Sequence, residues 1–165
     1  MAYWLMKSEP TTYGIEDLAG MPNRRDYWDG IRNYQVRNWL RDTMAQGDEA
    51  LFYHSNCKVP AVVGRMRIIS DGYPDSTAWD PESPYYDPKS TPEEPRWYRV
   101  DVELDEIFQA PVPLATLKAH PGLEDLALVK RGNRLSIMPV SPEHWAIILG
   151  MAECLARGED PLAGQ

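Results

Sequence analysis

The sequence predicts an α+β domain, a small curved mixed sheet or barrel with helices segregated beside it. Three observations carry this reading. Trp97 to Leu104 alternates strictly in period two, the mark of a strand with one buried face. Tyr34 to Met44 has apolar residues at spacings of three and four, the mark of an amphipathic helix. Strands and helices come in blocks, and no segment repeats another, which argues against regular strand-helix alternation. At 165 residues the chain is long enough to close around one core.

The elements follow in order. Tyr3 to Met6 reads as a strand that ends at Lys7-Ser8-Glu9-Pro10, because Pro10 has no N–H for a ladder and holds Glu9 extended. Gly14 to Ala19 reads as one or two helical turns, with Glu16 and Asp17 near the positive end and Gly20 to Pro22 as the stop. A loop is expected from there to about Asn33, which can cap the next helix. In that helix Val36, Trp39, Leu40 and Met44 form the inner strip, and Arg32, Arg37 and Arg41 lie on another.

Glu49 to Ser55 and Val59 to Ile69 read as a hairpin. Residues 71–96 contain six prolines and far exceed a normal connection; an ordered lid is expected, anchored by Trp79, Tyr85 and Tyr86. In the strand that follows, Tyr98, Val100, Val102 and Leu104 point one way. Pro113 to Ala119 and Leu123 to Leu128 read as short helices and Arg134 to Val140 as a strand. Ser141-Pro142-Glu143 opens a last helix whose inner face holds Trp145, Ile148 and Leu149. The expected domain covers residues 1–155, with 156–165 a flexible tail.

Composition narrows function. The net charge is -8, divided as +1 over residues 1–69 and -9 over residues 70–165. Strong nonspecific grip on a duplex is therefore disfavoured, and any phosphate contact is expected from the first half. No apolar run reaches membrane-spanning length, and the N-terminus lacks a signal-peptide pattern, so no membrane partner is expected and a cytoplasmic, reducing compartment fits the two distant cysteines, Cys57 and Cys154. Six Trp and nine Tyr against two Phe suit ligand pockets and interfaces, where a ring needs one apolar and one hydrogen-bonded side.

Several chemistries lack their residues. Neither a GxGxxG nor a GxxxxGK[ST] loop is present, and two cysteines with three histidines do not make a tetrahedral zinc site. No cofactor or metal is expected. His54 and Ser55 face opposite sides of a strand, so only Ser8 could pair with His54, with Glu9 as the carboxylate to orient it, as the basis of a small hydrolase. Trp4, Trp39 and Trp145 fit apolar faces. Trp28, Trp79 and Trp97 stand in loops or on a polar strand face, where they need another partner.

Tyr3-Trp4-Leu5-Met6-Lys7-Ser8-Glu9-Pro10, Trp28-Asp29-Gly30-Ile31-Arg32-Asn33-Tyr34-Gln35-Val36-Arg37-Asn38 and Phe52-Tyr53-His54-Ser55-Asn56 resemble the EVE-domain family. Tyr85-Tyr86-Asp87-Pro88-Lys89-Ser90, Pro95-Arg96-Trp97 and Arg134-Leu135-Ser136 continue the match in order. The resemblance implies a PUA-like fold, a compact β-barrel flanked by helices, related to the YTH domains that hold a methylated adenine in an aromatic cage. It also implies a non-enzymatic module that recognises modified bases in nucleic acid, read here as a flipped-out base of DNA or RNA; no cofactor and a monomeric state are expected. Trp28, Trp79, Tyr85 and Trp97 would then be walls, and Ser8, Glu9, Asn33, His54 and Ser55 would meet the base edge. Lys7, Arg24, Arg25, Arg32 and Lys58 would meet phosphates. A sensor of a free nucleoside or another small planar ligand is the alternative, favoured by the net acidity, and a Ser8/His54 hydrolase is the second.

Overall fold

The computed structural model describes residues 1–163. Along the chain run β1 (Tyr3–Ser8), α1 (Pro10–Tyr13), α2 (Ile15–Ala19), β2 (Arg25–Trp28), α3 (Tyr34–Asp42) and β3 (Glu49–His54). There follow β4 (Ala61–Ile68), β5 (Tyr73–Pro74), β6 (Tyr98–Pro113), α4 (Leu114–Ala119), β7 (Ile137–Val140) and α5 (Pro142–Ala156). Seven strands form a mixed sheet in the order β2-β6-β4-β3-β1-β7, with β5 paired to β6 beside it. No ladder joins β2 to β7 among the described residues, so the sheet is open where a closed barrel was expected; the α+β class stands.

β6 is the spine of the sheet. Its first half pairs with β2 on one edge, and β4 followed by β5 pairs with nearly its whole length on the other. Register shifts between Val62 and Gly64 and between Arg65 and Met66 bend this long ladder, as bulges do. Gly64 is the close approach at the bend: a Cβ there would collide with the Glu106 carbonyl and the Ile15 side chain.

Each face of the sheet has its own core. Alternation along β1 sends Trp4 and Met6 to one face and Leu5 to the other, and β3 repeats this with Ala50 and Phe52 against Leu51 and Tyr53. The first face is closed by Ile15 and Leu18 of α2 and by Val36 and Leu40 of α3. The second is closed by Leu117 of α4, by Leu123, Leu126 and Leu128, and by Trp145, Ile148 and Met151 of α5.

Local chemistry explains the ends of the helices. The Asn33 side chain accepts from the Val36 N–H at 3.0 Å and Ser141 Oγ accepts from the His144 N–H at 3.1 Å, each satisfying a donor the helix cannot. The Asp17 carboxylate accepts from the Gly14 N–H at 2.7 Å at the start of α2.

Four segments differ from expectation. The loop between Gly20 and Asn33 contains β2, an edge strand whose register runs from Arg25 opposite Glu103 to Trp28 opposite Val100. The strand begun at Trp97 continues to Pro113, well past Leu104, because β4 supplies a ladder that far. The helix expected at Leu123 to Leu128 is two 3-10 turns, Pro121–Leu123 and Ala127–Val129. Their spacing of three puts Leu123 and Leu126 on one side, a pattern that does not separate the two helix types. Pro10–Tyr13 is helical because Pro10 opens the turn, and Glu9 O accepts from the N–H groups of Thr12 and Tyr13.

The proline-rich segment 71–96 is held throughout its length. Asp75 is buried and accepts from the N–H groups of Gly30 and Thr77, both at 3.0 Å. The Asp87 N–H donates to Ala78 O at 2.9 Å, and Trp97 Nε1 donates to Asp87 Oδ2 at 2.7 Å. Tyr85 is half-buried and Tyr86 exposed. Of the expected tail, Ala156 ends α5, Leu162 packs against the second core, and Gly164 and Gln165 lie outside the described residues.

Candidate functional site

A cleft of about 620 Å³ opens where β1 leaves the sheet. This falls inside the range of roughly 300–1,000 Å³ usual for small-ligand sites. Three parts of the chain build it: Lys7, Ser8, Glu9, Thr12 and Tyr13 from the end of β1 and α1, Asp26 to Arg32 from β2 and the turn after it, and Tyr85 with Ser136 from the far side.

Trp28 supplies the apolar wall. Being the last residue of β2, it is turned inward by the Trp28–Val100 register, and its ring meets Phe52 edge-on at 5.4 Å. Only 8% of it remains exposed, so it is both core and cleft wall. Tyr85 also lines the cleft and packs on a glycine: Gly30 has φ +77, and a Cβ there would lie 2.6 Å from the Tyr85 ring. The Trp-Asp-Gly sequence thus places a ring, a carboxylate and a gap for a second ring in succession.

Arg32 staples this wall together. Its guanidinium donates to Tyr85 O at 2.6 Å, to Ile31 O at 2.8 Å and to Asp75 Oδ2 at 3.2 Å, and it lies over the rings of Tyr85 and Trp97. Burial alone would raise the Asp75 carboxyl, but hydrogen bonds from Thr77, Gly30 and Arg32 hold it below the usual carboxylate range. Asp29, half-buried in the cleft wall, goes the other way: burial first and then the nearby Asp75 charge push its carboxyl up. Asp26 is engaged by the Tyr13 hydroxyl, which donates to it at 2.6 Å, and Glu9 accepts from Asn56 Nδ2 at 3.2 Å.

The expected contact residues separate into two groups. Ser8, Glu9, Trp28 and Tyr85 stand in the cleft wall, as do Lys7 and Arg32. Asn33, His54, Ser55, Trp79 and Trp97 do not. Asn33 faces its own helix as the cap. His54 Nε2 accepts from the Ile15 N–H at 3.1 Å, and burial lowers its pKa, so it is a neutral support for α2. The Ser55 N–H donates to Ser8 O, extending the β1–β3 pairing. Trp79 is half-buried under its own loop, and its Nε1 has no partner among the described residues. Trp97 is 5% exposed, packed against Tyr34 with its Nε1 on Asp87.

Ser8 and His54 are partners in the parallel register, yet they bond away from each other. Ser8 Oγ donates to Tyr13 O at 2.6 Å and His54 holds Ile15, so the two do not form a nucleophile-base pair. Of the expected phosphate residues, Arg24 and Lys58 are exposed, and Arg25 is bridged to Glu103 at 2.6 Å. Sequence reasoning missed Thr12, Tyr13, Asp26, Tyr27 and Asp29, which reach the cleft through α1 and β2, the two elements it did not find. Their signal was the inward Asp26 and Trp28 alternating with the exposed Arg25 and Tyr27. Among the described residues no cluster of three or more His, Cys, Asp or Glu could hold a metal ion, and Cys57 and Cys154 are free.

An open mixed sheet with two cores, flanking helices and a cleft at one end makes this a small α+β domain of the PUA-like kind. The chain belongs to the EVE-domain family, whose family model matches residues 2–151. Thymocyte nuclear protein 1 from Homo sapiens is 41% identical over 169 residues, covering 92% of this chain and 74% of that protein. The crystal structure of the human THYN1 protein in complex with 5-methylcytosine containing DNA superposes with a TM-score of 0.87 at 40% identity, covering 93% of this chain and 98% of that one. A Pseudomonas syringae protein of known crystal structure is 49% identical, with a TM-score of 0.87 and coverage of 92% and 99%. No helix of the described residues is long and apolar enough to cross a membrane.

Proposed function

We propose that this protein binds DNA carrying a modified base, and that the cleft between Trp28 and Tyr85 receives that base flipped out of its stack. The observation that carries this reading is the cleft itself, lined by the rings of Trp28 and Tyr85, the second packed on Gly30, beside carboxylates at Asp26, Asp29 and Glu9. Lifting a base from its stack costs a few kcal/mol, and each aromatic partner returns roughly 1–3 kcal/mol, so two rings balance the cost. Carboxylates accept from an exocyclic amino group, such as N4 of cytosine, so this wall suits an amino-bearing base. The human relative crystallised with 5-methylcytosine containing DNA supports the same chemistry.

Of the expected edge contacts, Ser8 and Glu9 keep that role in this proposal, joined by Asp29. The protein acts by binding; Ser8 and His54 support α1 and α2 rather than catalyse. An interior, reducing compartment fits both a relative named nuclear and a bacterial one. A monomer suffices for this reading, because the residues lining the cleft all come from one chain.

Titration with an oligonucleotide containing one 5-methylcytosine, its unmodified counterpart and free 5-methyl-2′-deoxycytidine tests the reading. Tighter binding of the modified oligonucleotide, weakened by Tyr85→Ala, is expected. Equal affinity for modified and unmodified strands overturns it. Binding of the nucleoside without the oligonucleotide would mark a sensor of the free nucleoside, the reading that a net charge of -8 favours.

A further inference from the structure

Beyond the cleft, and resting on its reading as a base-binding site, lies a second depression of about 710 Å³ on the other side of Lys7. Its floor is apolar, made by Tyr53, Leu114, Leu128 and Val129. Its rim carries Lys118 from the end of α4 and Lys130 and Arg131 from the turn before β7, and Lys7 lies in the walls of both depressions. The single acid on that rim is Glu124.

Four cations line this one depression, and their charges are not answered by neighbouring carboxylates. Arg25, Arg32, Arg65, Arg67, Arg96 and Arg99 each lie within 4.0 Å of a carboxylate oxygen. Lys7, Lys118, Lys130 and Arg131 form no ion pair among the described residues, although the second half of the chain is net -9 and rich in carboxylates. Four like charges around one groove repel one another unless an anion joins them. Lys7 is half-buried, and burial lowers its pKa, a cost that an adjacent anion would relieve. The rim is also built. Asn133 Nδ2 donates to Ala127 O at 2.8 Å and its Oδ1 accepts from the Leu135 N–H at 2.9 Å, tying the turn to the 3-10 segment behind it.

We infer that the Lys7–Lys118–Lys130–Arg131 groove carries the sugar-phosphate backbone of the DNA strand next to the flipped base. A base seated between Trp28 and Tyr85 leaves its own phosphates at the mouth of the cleft, and Lys7 is the cation shared by that mouth and the groove. The neighbouring phosphates then reach Lys118, Lys130 and Arg131, and the apolar floor accepts the faces of sugars or unstacked bases. The strand is gripped mainly from the acidic half of the chain, where composition alone argues against it.

The test is a triple variant, Lys118→Gln/Lys130→Gln/Arg131→Gln, with Lys130→Glu as a second variant in case the triple one is unstable. Both are titrated with a single-stranded oligonucleotide containing one 5-methylcytosine and with free 5-methyl-2′-deoxycytidine, across salt concentrations. Each phosphate contact in a single strand contributes about 0.7 to the salt slope, so the triple variant is expected to lose about 2 from that slope. It is also expected to bind the oligonucleotide roughly tenfold more weakly at low salt, with nucleoside affinity unchanged. An unchanged slope and affinity for the oligonucleotide in both variants overturns the groove and leaves the cleft reading intact. Failure of the unsubstituted protein to bind either probe overturns both.

Discussion

The cleft wall and the cationic groove are neighbours that share Lys7, yet they are made in opposite ways. In the cleft wall, polar groups are committed to one another: Arg32 to Tyr85 O and Asp75, Tyr13 to Asp26, Gly30 N–H to Asp75. In the groove Lys118, Lys130 and Arg131 are long and exposed, Lys7 is half-buried, and none of the four has a carboxylate partner among the described residues. A surface that distinguishes one planar ring from another needs fixed atoms, whereas a surface that holds a phosphate chain needs only positive charge within reach. On the proposed reading, the contrast teaches that specificity and grip are assigned to different stretches of this chain.

The sharpest break would come at Trp28. Because it is core as well as wall, Trp28→Ala is expected to cost about 3–5 kcal/mol and to lower the midpoint temperature by roughly 10 °C, together with all binding of the modified base. Thermal melts decide it: a loss of binding with an unshifted melt would make Trp28 a wall residue only. Next is Asp75→Ala, which strands Arg32 and frees the Gly30 turn, expected at about 3 kcal/mol with weakened binding. The same carboxylate predicts a pH effect. Its folded pKa is depressed, so its contribution is present above the unfolded value of about 3.9 and fades as pH falls through the lower folded value. Denaturant midpoints measured from neutral pH downward should show this decline in the wild type and not in Asp75→Ala.

Asp29 predicts a pH effect of the reverse sense, on affinity rather than stability. Its carboxyl is pushed up, so it protonates before the ordinary carboxylate range of about 4 is reached, and affinity for an amino-bearing base should begin to fall there. Asp29→Asn should flatten that limb of the titration. Asn33→Ala should cost about 1 kcal/mol from the lost cap while leaving affinity for the modified oligonucleotide unchanged, because its side chain lies outside the cleft wall. Smallest is Lys118→Gln alone, expected to reduce the salt slope by about 0.7 with no change in the melt.

Much of the fold was legible because its signals are local and repeated. The alternation from Tyr98 to Leu104, the cap-and-strip pattern from Asn33 to Met44 and the Ser141-Pro142-Glu143 start all mark elements the structure contains. β2 was not legible, because four residues with one apolar inward ring carry too little pattern until β6 is present to pair with them. The candidate site follows the same division. Ser8 and Glu9 mark the end of β1, where the cleft opens, and Trp28 with Tyr85 gives its rings. His54 and Ser55 sit beside that end, but the His54 ring is held by the Ile15 N–H and the Ser55 backbone N–H only extends the pairing to Ser8, and such bonds leave no trace in composition or spacing. The groove was hidden for a related reason: Lys118, Lys130 and Arg131 are scattered through the half with the larger negative charge and meet Lys7 only through tertiary structure.

β1 has a consequence for assembly during synthesis. It lies between β3 and β7, with Tyr3 opposite Val140 and the Lys7 N–H on Ser136 O. A nascent chain can zip the β3–β4 hairpin early, yet its first strand waits with one edge bare until residue 140 has left the ribosome. The β1–β7 seam, from whose end Lys7 reaches both the cleft and the groove, is therefore among the last parts to form, and a chain stopped short of β7 would expose Leu5, Leu51 and Val62 to whatever it meets.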